Sequence, residues 1–369
     1  MKKICLGVLL LLVLTGMAAA APLDISGSVT TDMVVGLEEP YYLSPGSELE
    51  LKFDHFVGSA AFHVGAKGYY NDGFEVELDE AYLDYYAQQF DLRVGKQRFS
   101  WGTALQINPT DILNPVDVQN PMADKQAVYA VAADYYIGQS TKLTAVWIPV
   151  FKPAFDEIPH PLMPGTVITP KEVEPRLENS ELGLRASFFG LNGWDVSLSY
   201  FRGWEDFPTP CIEPGQPPQI KALFQKVQMF GFDTATTIGD MGLWAEGAYF
   251  LPEPQDAKGY YQFILGGDYG FQNGLVLIGQ YYHHSAGEGT NNIILAAEYP
   301  FGLLHSARLG AMYNLDSNEY MLSPEIALSL ADSTLLSLGV QYFSGSPGDL
   351  GMPALGQNNN AYAALKVGF

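Results

Sequence analysis

The sequence predicts an all-β protein, a transmembrane antiparallel up-and-down β-barrel of about 18 strands. Three observations predict this fold. Segments of about ten residues alternate between apolar and polar side chains from residue 25 to the end of the chain, which is the period of a strand. The connectors between these segments are alternately short and long. Most prolines and many acidic residues lie in the long connectors.

Composition excludes several other classes of protein. The 369 residues include 41 Asp and Glu against 19 Lys and Arg, a formal net charge of −22. Binding to nucleic acid needs a basic surface, so this charge argues against it. Aromatic residues make up 13% of the chain and charged residues only 16%, which argues against disorder. Two cysteines are too few for a disulfide scaffold.

Residues 1–20 have the pattern of a cleaved signal peptide. Lys2 and Lys3 precede the apolar run 6–14, and small residues follow at 18–21. That run is too short to cross a membrane as a helix. Cleavage after Ala20 would leave residues 21–369 as a single barrel domain, with Cys211 as its one cysteine. The sequence therefore predicts export, and the strand pattern predicts residence in the outer membrane.

The strands are predicted from alternation along each segment. In 334–344, Leu336, Leu338 and Val340 share one face, and Ser337 and Gln341 share the other. Eighteen segments result: 25–36, 47–56, 59–70, 74–87, 90–99, 126–137, 141–150, 179–189, 194–203, 221–237, 242–251, 259–270, 275–284, 291–299, 303–314, 318–330, 334–344 and 358–369. Pro324 inside one strand implies a bulge or a wrong boundary, and 221–237 is long. Sixteen strands is therefore the alternative.

The two ends of the predicted barrel differ in their connectors. One end has only short turns, whereas the other has all the long connectors, among them 100–125, 151–178 and 204–220. The long-connector end holds 20 of the 24 prolines, and it holds 19 carboxylates against five Lys or Arg. Proline costs no ladder hydrogen bond in a loop. This asymmetry is typical of an outer-membrane barrel, with turns inside and loops outside.

The end of the chain resembles that of bacterial outer-membrane β-barrel proteins. Leu365, Val367 and Phe369 alternate on one face of the last predicted strand. In that class of proteins the last strand is an assembly signal ending in an aromatic residue. The resemblance implies a barrel-assembly machinery as a partner, together with outer-membrane lipid and lipopolysaccharide around the barrel. A homo-oligomer is a further expectation.

Acidic residues on the fourth and fifth predicted strands are candidates for the pore lining. The two-residue turn Gln88–Gln89 pairs positions that sum to 177, so Asp84 faces Arg93 and Glu80 faces Gln97. A bulge near Asp79 and Glu80 would bring all nearby acids into the lumen. The predicted pore-lining set is Glu75, Glu77, Asp79, Glu80, Asp84, Arg93, Gln97 and Lys366. These residues predict a preference for cations, or alternatively a structural ladder of charges between strands.

The connector after the fifth strand, 100–125, is rich in Asn-Pro dipeptides, which start turns. Porin-like proteins often fold the loop at this position into the lumen, and the similarity implies a constriction here. The candidate constriction residues are Trp101, Asn108, Asp111, Asn114 and Asp117. The stretch from Gly95 through Trp101 to the repeated Asn-Pro-x-Asp also resembles uncharacterised and substrate-export outer-membrane barrel families. Turn capping by the Asn and Asp side chains is favoured over binding of Ca²⁺.

The sequence predicts a channel and no enzyme. Metalloprotease, hydrolase and phosphate-loop motifs are missing, and His283 and His284 would point to opposite faces of a strand. We therefore predict no catalytic residue, metal or cofactor. The first functional hypothesis is a porin-like channel for passive passage of small hydrophilic solutes or ions, preferring cations. The alternative is a structural or adhesive barrel whose acidic outer loops bind Ca²⁺, surface polysaccharide or an S-layer.

Overall fold

A computed structural model describes residues 23–38, 41–71, 73–116, 124–154, 158–159, 167–213, 219–253, 258–344 and 359–369. These residues form 22 strands and one short 3₁₀ helix, Leu177–Asn179. The strands are β1 Asp24–Gly36, β2 Leu43–Val57, β3 Ala60–Tyr70, β4 Phe74–Tyr86, β5 Phe90–Gln97, β6 Val128–Ile137, β7 Thr141–Ile148, β8 Ile158–Pro159, β9 Val167–Ile168, β10 Glu181–Leu191, β11 Trp194–Trp204, β12 Thr209–Glu213, β13 Gln219–Leu223, β14 Lys226–Ile238, β15 Met241–Pro252, β16 Tyr260–Gly270, β17 Val276–His284, β18 Thr290–Phe301, β19 His305–Asn314, β20 Tyr320–Ala331, β21 Thr334–Phe343 and β22 Asn360–Gly368.

Eighteen of these strands form one closed antiparallel barrel. Each pairs with the next along the chain, leaving out two small hairpins, β8–β9 and β12–β13, that lie in long connectors. The first and last strands close the ring, from Ser28 opposite Gly368 to Gly36 opposite Asn360. Closure gives each of these eighteen strands a partner on both sides, which is what a β-structure inside a membrane requires. The prediction of 18 strands is confirmed, and the alternative of 16 is wrong.

The outward face of the barrel is apolar. On β1, Val29 and Met33 are exposed, and Leu265 on β16 and Leu295 on β18 are about half exposed. Side chains between them along each strand point to the lumen, because successive residues of a strand face opposite sides. A closed barrel with an apolar outer surface is the β-structure that spans membranes. The protein is therefore an outer-membrane β-barrel.

Two details of the sequence prediction are corrected by the structure. The predicted strand 221–237 begins later, as β14 at Lys226, because residues 219–223 pair instead with 209–213 in a hairpin of the outer connector. Pro324 causes neither a bulge nor a strand boundary. The pairs Leu322–Tyr342 and Glu325–Gly339 on either side of it keep the same register, so the barrel tolerates a local gap in the ladder at this proline.

The chain end is tied to β1 by reciprocal hydrogen bonds. The amide of Gly27 donates to the carbonyl of Phe369, and the amide of Phe369 donates to the carbonyl of Gly27, both at 3.0 Å. The ring of Phe369 lies across Gly27, where an added Cβ would sit 2.8 Å from a ring carbon. The ring is 63% exposed on the lipid side. Its role as an assembly signal, with Leu365 and Val367, stays a prediction.

We expect Phe369→Ala to slow assembly of the barrel without changing the folded structure, because the substitution removes an exposed ring at the closing pair of strands. The measurement is the fraction of heat-modifiable, folded protein in isolated membranes over time. Phe271→Ala, which removes another exposed aromatic ring near a short turn, is the control. Equal assembly rates for the two variants would argue against the signal.

Candidate functional site

Residues 98–116 and 124–127, between β5 and β6, lie inside the barrel, and we call them the inner loop. Its two ends are held together by one side chain. The Oδ1 of Asn114 accepts from the amide of Phe99 at 2.7 Å, and its Nδ2 donates to the carbonyl of Gln126 at 2.8 Å. Asn114 is fully buried. This bridge fixes where the loop leaves the wall and where it returns.

The predicted turn residues bond to the backbone of the loop itself. The side chain of Asn108 donates to the carbonyl of Ala104 at 2.9 Å, and the amide of Trp101 donates to Asp111 at 3.3 Å. Lys125 forms an ion pair with Asp111 at 3.1 Å. Asp117 lies outside the described residues. These bonds give the loop a defined path, which side-chain capping of turns favours.

The inner loop crosses to the far side of the barrel and bonds there to Glu246 on β15. This carboxylate is 2% exposed. It accepts from the amides of Thr103 (2.9 Å), Ala104 (3.2 Å) and Thr110 (2.7 Å), from the hydroxyl of Thr110 (2.9 Å) and from the Nδ2 of Asn108 (3.4 Å). A buried carboxylate is stable only when such donors replace its water. Glu246 is therefore the main polar anchor of the loop.

A second anchor lies two strands further, at Gln280 on β17. Its Oε1 accepts from the amide of Leu105 at 2.8 Å, and its Nε2 donates to the carbonyl of Leu105 at 2.9 Å. The indole of Trp244 also donates to the Oε1 of Gln280, at 2.8 Å. Both bonds to Leu105 are made by backbone groups of the loop, so they fix its position whatever its side chains are.

Apolar contacts complete the docking of the loop. Trp101 and Leu113 are buried in a cluster with lumen-facing side chains of five barrel strands: Val128, Ala130, Val146, Ile148, Phe201, Val227, Met229, Ala248 and Phe250. Ala104 and Ile107 pack against a second cluster formed by Ile264, Tyr282, Ile294, Met312, Met321 and Phe343. The lumen of the barrel thus contains packed apolar layers as well as polar groups.

Charged side chains cover the lumen side of β2 to β5, which we call the charged wall. Asp84 and Arg93 form a two-point ion pair, with Nε–Oδ1 at 2.6 Å and Nη2–Oδ2 at 2.8 Å. The guanidinium also lies 4.0 Å from the ring centre of Tyr82. The predicted pairing of Asp84 with Arg93 is confirmed. Such cross-strand pairs also stabilise the sheet.

The bulge predicted near Asp79 and Glu80 is confirmed, because both residues oppose Gly65 across the β3–β4 ladder. Arg98, at the start of the inner loop, donates to both carboxylate oxygens of Asp79 through its Nη1 and Nη2, and its Nη1 lies 3.4 Å from Oε2 of Glu80. Lys67 is 3.8 Å from Asp79. The bulge therefore gathers two acids and two cations where the inner loop begins.

The remaining predicted pore residues have different surroundings. Glu75 and Glu77 are exposed on the lumen face of β4. Phe74 and Val76, their neighbours along the strand, are strongly exposed on its lipid face. Lys366 is exposed on the lumen side of β22. Their function as pore lining stays a prediction.

Gln97 is a correction, since it does not border free space. The β4–β5 ladder ends at Ala81–Lys96, and Gln97 is fully buried with its Nε2 donating to the carbonyl of Ala130 at 3.0 Å. The physical reason is the inner loop, whose Asn114 packs over this strand end. A fully buried amide cannot line an open passage.

The anchors Glu246 and Gln280 were missed by sequence reasoning. Glu246 shares the lumen face of β15 with Trp244, Ala248 and Phe250, so it is an isolated acid on a largely apolar face. That pattern was the available signal, since a lone buried carboxylate needs donors from elsewhere. Nothing local to the sequence indicates that the donors come from residues 103–110.

Two carboxylates of the connector after β11 lie near the inner loop. Burial raises the pKa of Asp206 to about 7, against an opposing effect of Lys125. Burial also raises the pKa of Glu205, which accepts a hydrogen bond from the hydroxyl of Tyr260 at 3.2 Å. The carbonyl of Asp206 accepts from the amide of Ala154 at 3.3 Å, and this bond ties two outer connectors together.

We expect the packing of this connector to weaken as pH rises from about 4 to above 7. A carboxyl whose pKa is raised on folding stabilises the packed state fully below its unfolded pKa, and loses that effect as pH rises through the folded value. Hydrogen exchange of residues 151–154 and 204–208, corrected for intrinsic rates, measures this. In Asp206→Asn the exchange rates of these residues should depend less on pH. If the rates in the unmodified protein depend on pH as little as those in the variant, the expectation is contradicted.

Comparisons with known proteins identify the fold but assign no function. Residues 57–124, from the end of β2 into the inner loop, match a family described as a protein of unknown function, DUF1302. No curated protein matches the chain. Among solved structures, OccD3 (OpdP) of Pseudomonas aeruginosa is 11% identical, with 94% of this chain and 91% of that chain covered and a TM-score of 0.59. OccAB3 of Acinetobacter baumannii is also 11% identical, with 95% of this chain and 100% of that chain covered and a TM-score of 0.57. These likenesses show a shared barrel fold.

Proposed function

We propose that this outer-membrane barrel is a passive channel for small hydrophilic solutes or ions, that the inner loop narrows it, and that it prefers cations. The observation that carries the proposal is the docking of the inner loop on Glu246. Five strands of the barrel wall, from β6 to β14, separate β5 from β15. A loop fixed at both points crosses the lumen and reduces its cross-section. Barrels of this size enclose a water-filled space when nothing fills it.

The preference for cations is proposed from the charges of the wall. Asp79, Glu80 and Asp84 have Arg98 or Arg93 as partners. Glu75 and Glu77 are exposed, and among the described residues neither forms an ion pair with Lys or Arg. Uncompensated carboxylates at the wall of a narrow passage raise the local concentration of cations. The role of the barrel as a channel, and not as a catalyst, is part of the same proposal.

The proposal is tested by conductance of the folded protein in planar bilayers. We expect discrete channels, and larger ones when residues 103–112 are replaced by a short Gly-Ser linker. In a salt gradient the reversal potential should show cation selectivity. Absence of channels from both proteins, each shown to be folded by heat-modifiable mobility, would refute the channel. Anion selectivity would refute the role given to the carboxylates.

A further inference from the structure

The lumen is packed on one side. The inner loop and the lumen faces of β6 to β21 form the two apolar clusters described above, which we call the packed sector. Ile264 is fully buried in it, and Met312 and Ile294 are 2% and 3% exposed. The lumen wall of a wide barrel would expose such side chains to water. Their burial means that this sector holds little free space at the level of the two clusters, whereas Glu298 and Arg308, nearer the short-turn end of β18 and β19, are about half exposed.

The opposite side of the lumen is open to solvent. On the charged wall the side chain of Lys52 is 45% exposed and that of Arg93 is 36% exposed. Glu75 and Glu77 are exposed at the outer end, and Lys366 is exposed toward the other end of the barrel. Accessible polar side chains therefore occur along the length of β2 to β5 and on β22.

We infer that solutes cross along the charged wall, from Glu75 and Glu77 past Lys52 to Lys366, and that the packed sector carries no flow. The inference rests on the proposed function and deepens it. A passage bounded by exposed carboxylates and lysines suits hydrated ions and small hydrophilic solutes, and cations above all. The apolar side chains of the lumen are already covered, so they offer no path to apolar solutes.

The same arrangement identifies the residues that set selectivity. Carboxylates held in ion pairs contribute little net field, because their charge is compensated a few ångströms away. Glu77 faces Lys67 across the β3–β4 ladder and accepts a hydrogen bond from the hydroxyl of Tyr69 at 3.0 Å, and among the described residues no Lys or Arg forms an ion pair with it. Glu75 lies two residues closer to the outer mouth on the same face. These two side chains are the entrance charges of the inferred path.

Single cysteines at matched depths test the path. In a Cys211→Ser background, Glu77→Cys places a thiol on the charged wall, three residues from the outer end of β4. Met312→Cys places one in the packed sector, two residues from the outer end of β19. The probe is a membrane-impermeant thiosulfonate carrying a quaternary ammonium group. It forms a mixed disulfide with an accessible thiolate and releases a sulfinate.

We expect labelling of Glu77→Cys with loss of current, and labelling of Met312→Cys at least about tenfold slower because its thiol is buried. Ile294→Cys is a second packed-sector position in case the first fails to fold. Intact mass measures labelling whether or not current flows. Equal labelling of both sectors, or block of current from the packed sector alone, would overturn the inference. If Glu77→Cys is labelled much faster than Met312→Cys but none of the folded proteins conducts current, the proposed channel function is refuted and not the difference between the two sectors.

Discussion

Replacing Glu246 by leucine is expected to raise the single-channel conductance several-fold. The substitution removes the acceptor for three amides, a hydroxyl and an amide side chain of the inner loop. Hydrogen bonds to a charged group contribute about 1.5–3 kcal/mol each. If the loop stayed docked, the donors that now bond to Glu246 would be buried without water or another acceptor. Undocking of the loop then becomes favourable, and the lumen widens.

Two variants make the result of Glu246→Leu specific. Glu246→Gln keeps an acceptor oxygen of the same shape but loses the charge, so its conductance should lie between those of the unmodified protein and the leucine variant. Glu298→Leu removes a lumen-side carboxylate that pairs with Arg308 at 3.2 Å, away from the loop; its conductance should stay close to normal. A folded Glu246→Leu protein with unchanged conductance would refute the role of Glu246 as the anchor.

The double substitution Glu75→Gln and Glu77→Gln is expected to have the largest effect on ion selectivity. It removes two exposed charges from the entrance of the inferred path while keeping the size of both side chains. The ratio of potassium to chloride permeability, from reversal potentials in a salt gradient, should fall several-fold. The fall should be greater near 0.1 M salt, where screening acts over about 10 Å, than at 1 M, where it acts over about 3 Å.

A matched control removes two acids outside the lumen. Glu174 and Glu178 flank Arg176 in an outer connector, and their side chains are 64% and 71% exposed. Their replacement by glutamine changes the net charge by the same amount but should leave selectivity unchanged. If both double variants shift the reversal potential equally, the effect comes from overall charge and not from Glu75 and Glu77.

The strands and the bulge could be predicted because their signals are local. Alternation fixes which side chains share a face, and a two-residue turn fixes the register, so the predicted pairing of Asp84 with Arg93 is correct. The five acids of β4 break the alternation in one place, and only a bulge at Asp79 and Glu80 brings them to one face. The prediction of a bulge or boundary at Pro324 is wrong, because a large closed sheet tolerates one missing hydrogen bond without a change of register.

The docking of the inner loop could not be predicted in the same way. Its donors at residues 103–110 and its acceptor at Glu246 are more than a hundred residues apart, and no periodicity connects them. The face on which Gln97 lies predicts a place in the pore, although the inner loop buries this side chain away from free space. A face can be inferred from alternation, whereas exposure depends on what packs over it.

The bridge made by Asn114 has a consequence for how this protein could be remodelled. Because the side chain of Asn114 bonds to both Phe99 and Gln126, the two ends of the loop are held together. The length of the chain between them can therefore change without moving β5 or β6. Segments of other lengths or composition could replace the part of the loop between these bonded ends while the surrounding strands keep their register. The barrel would then be a constant scaffold, and the inserted loop would determine which solutes pass.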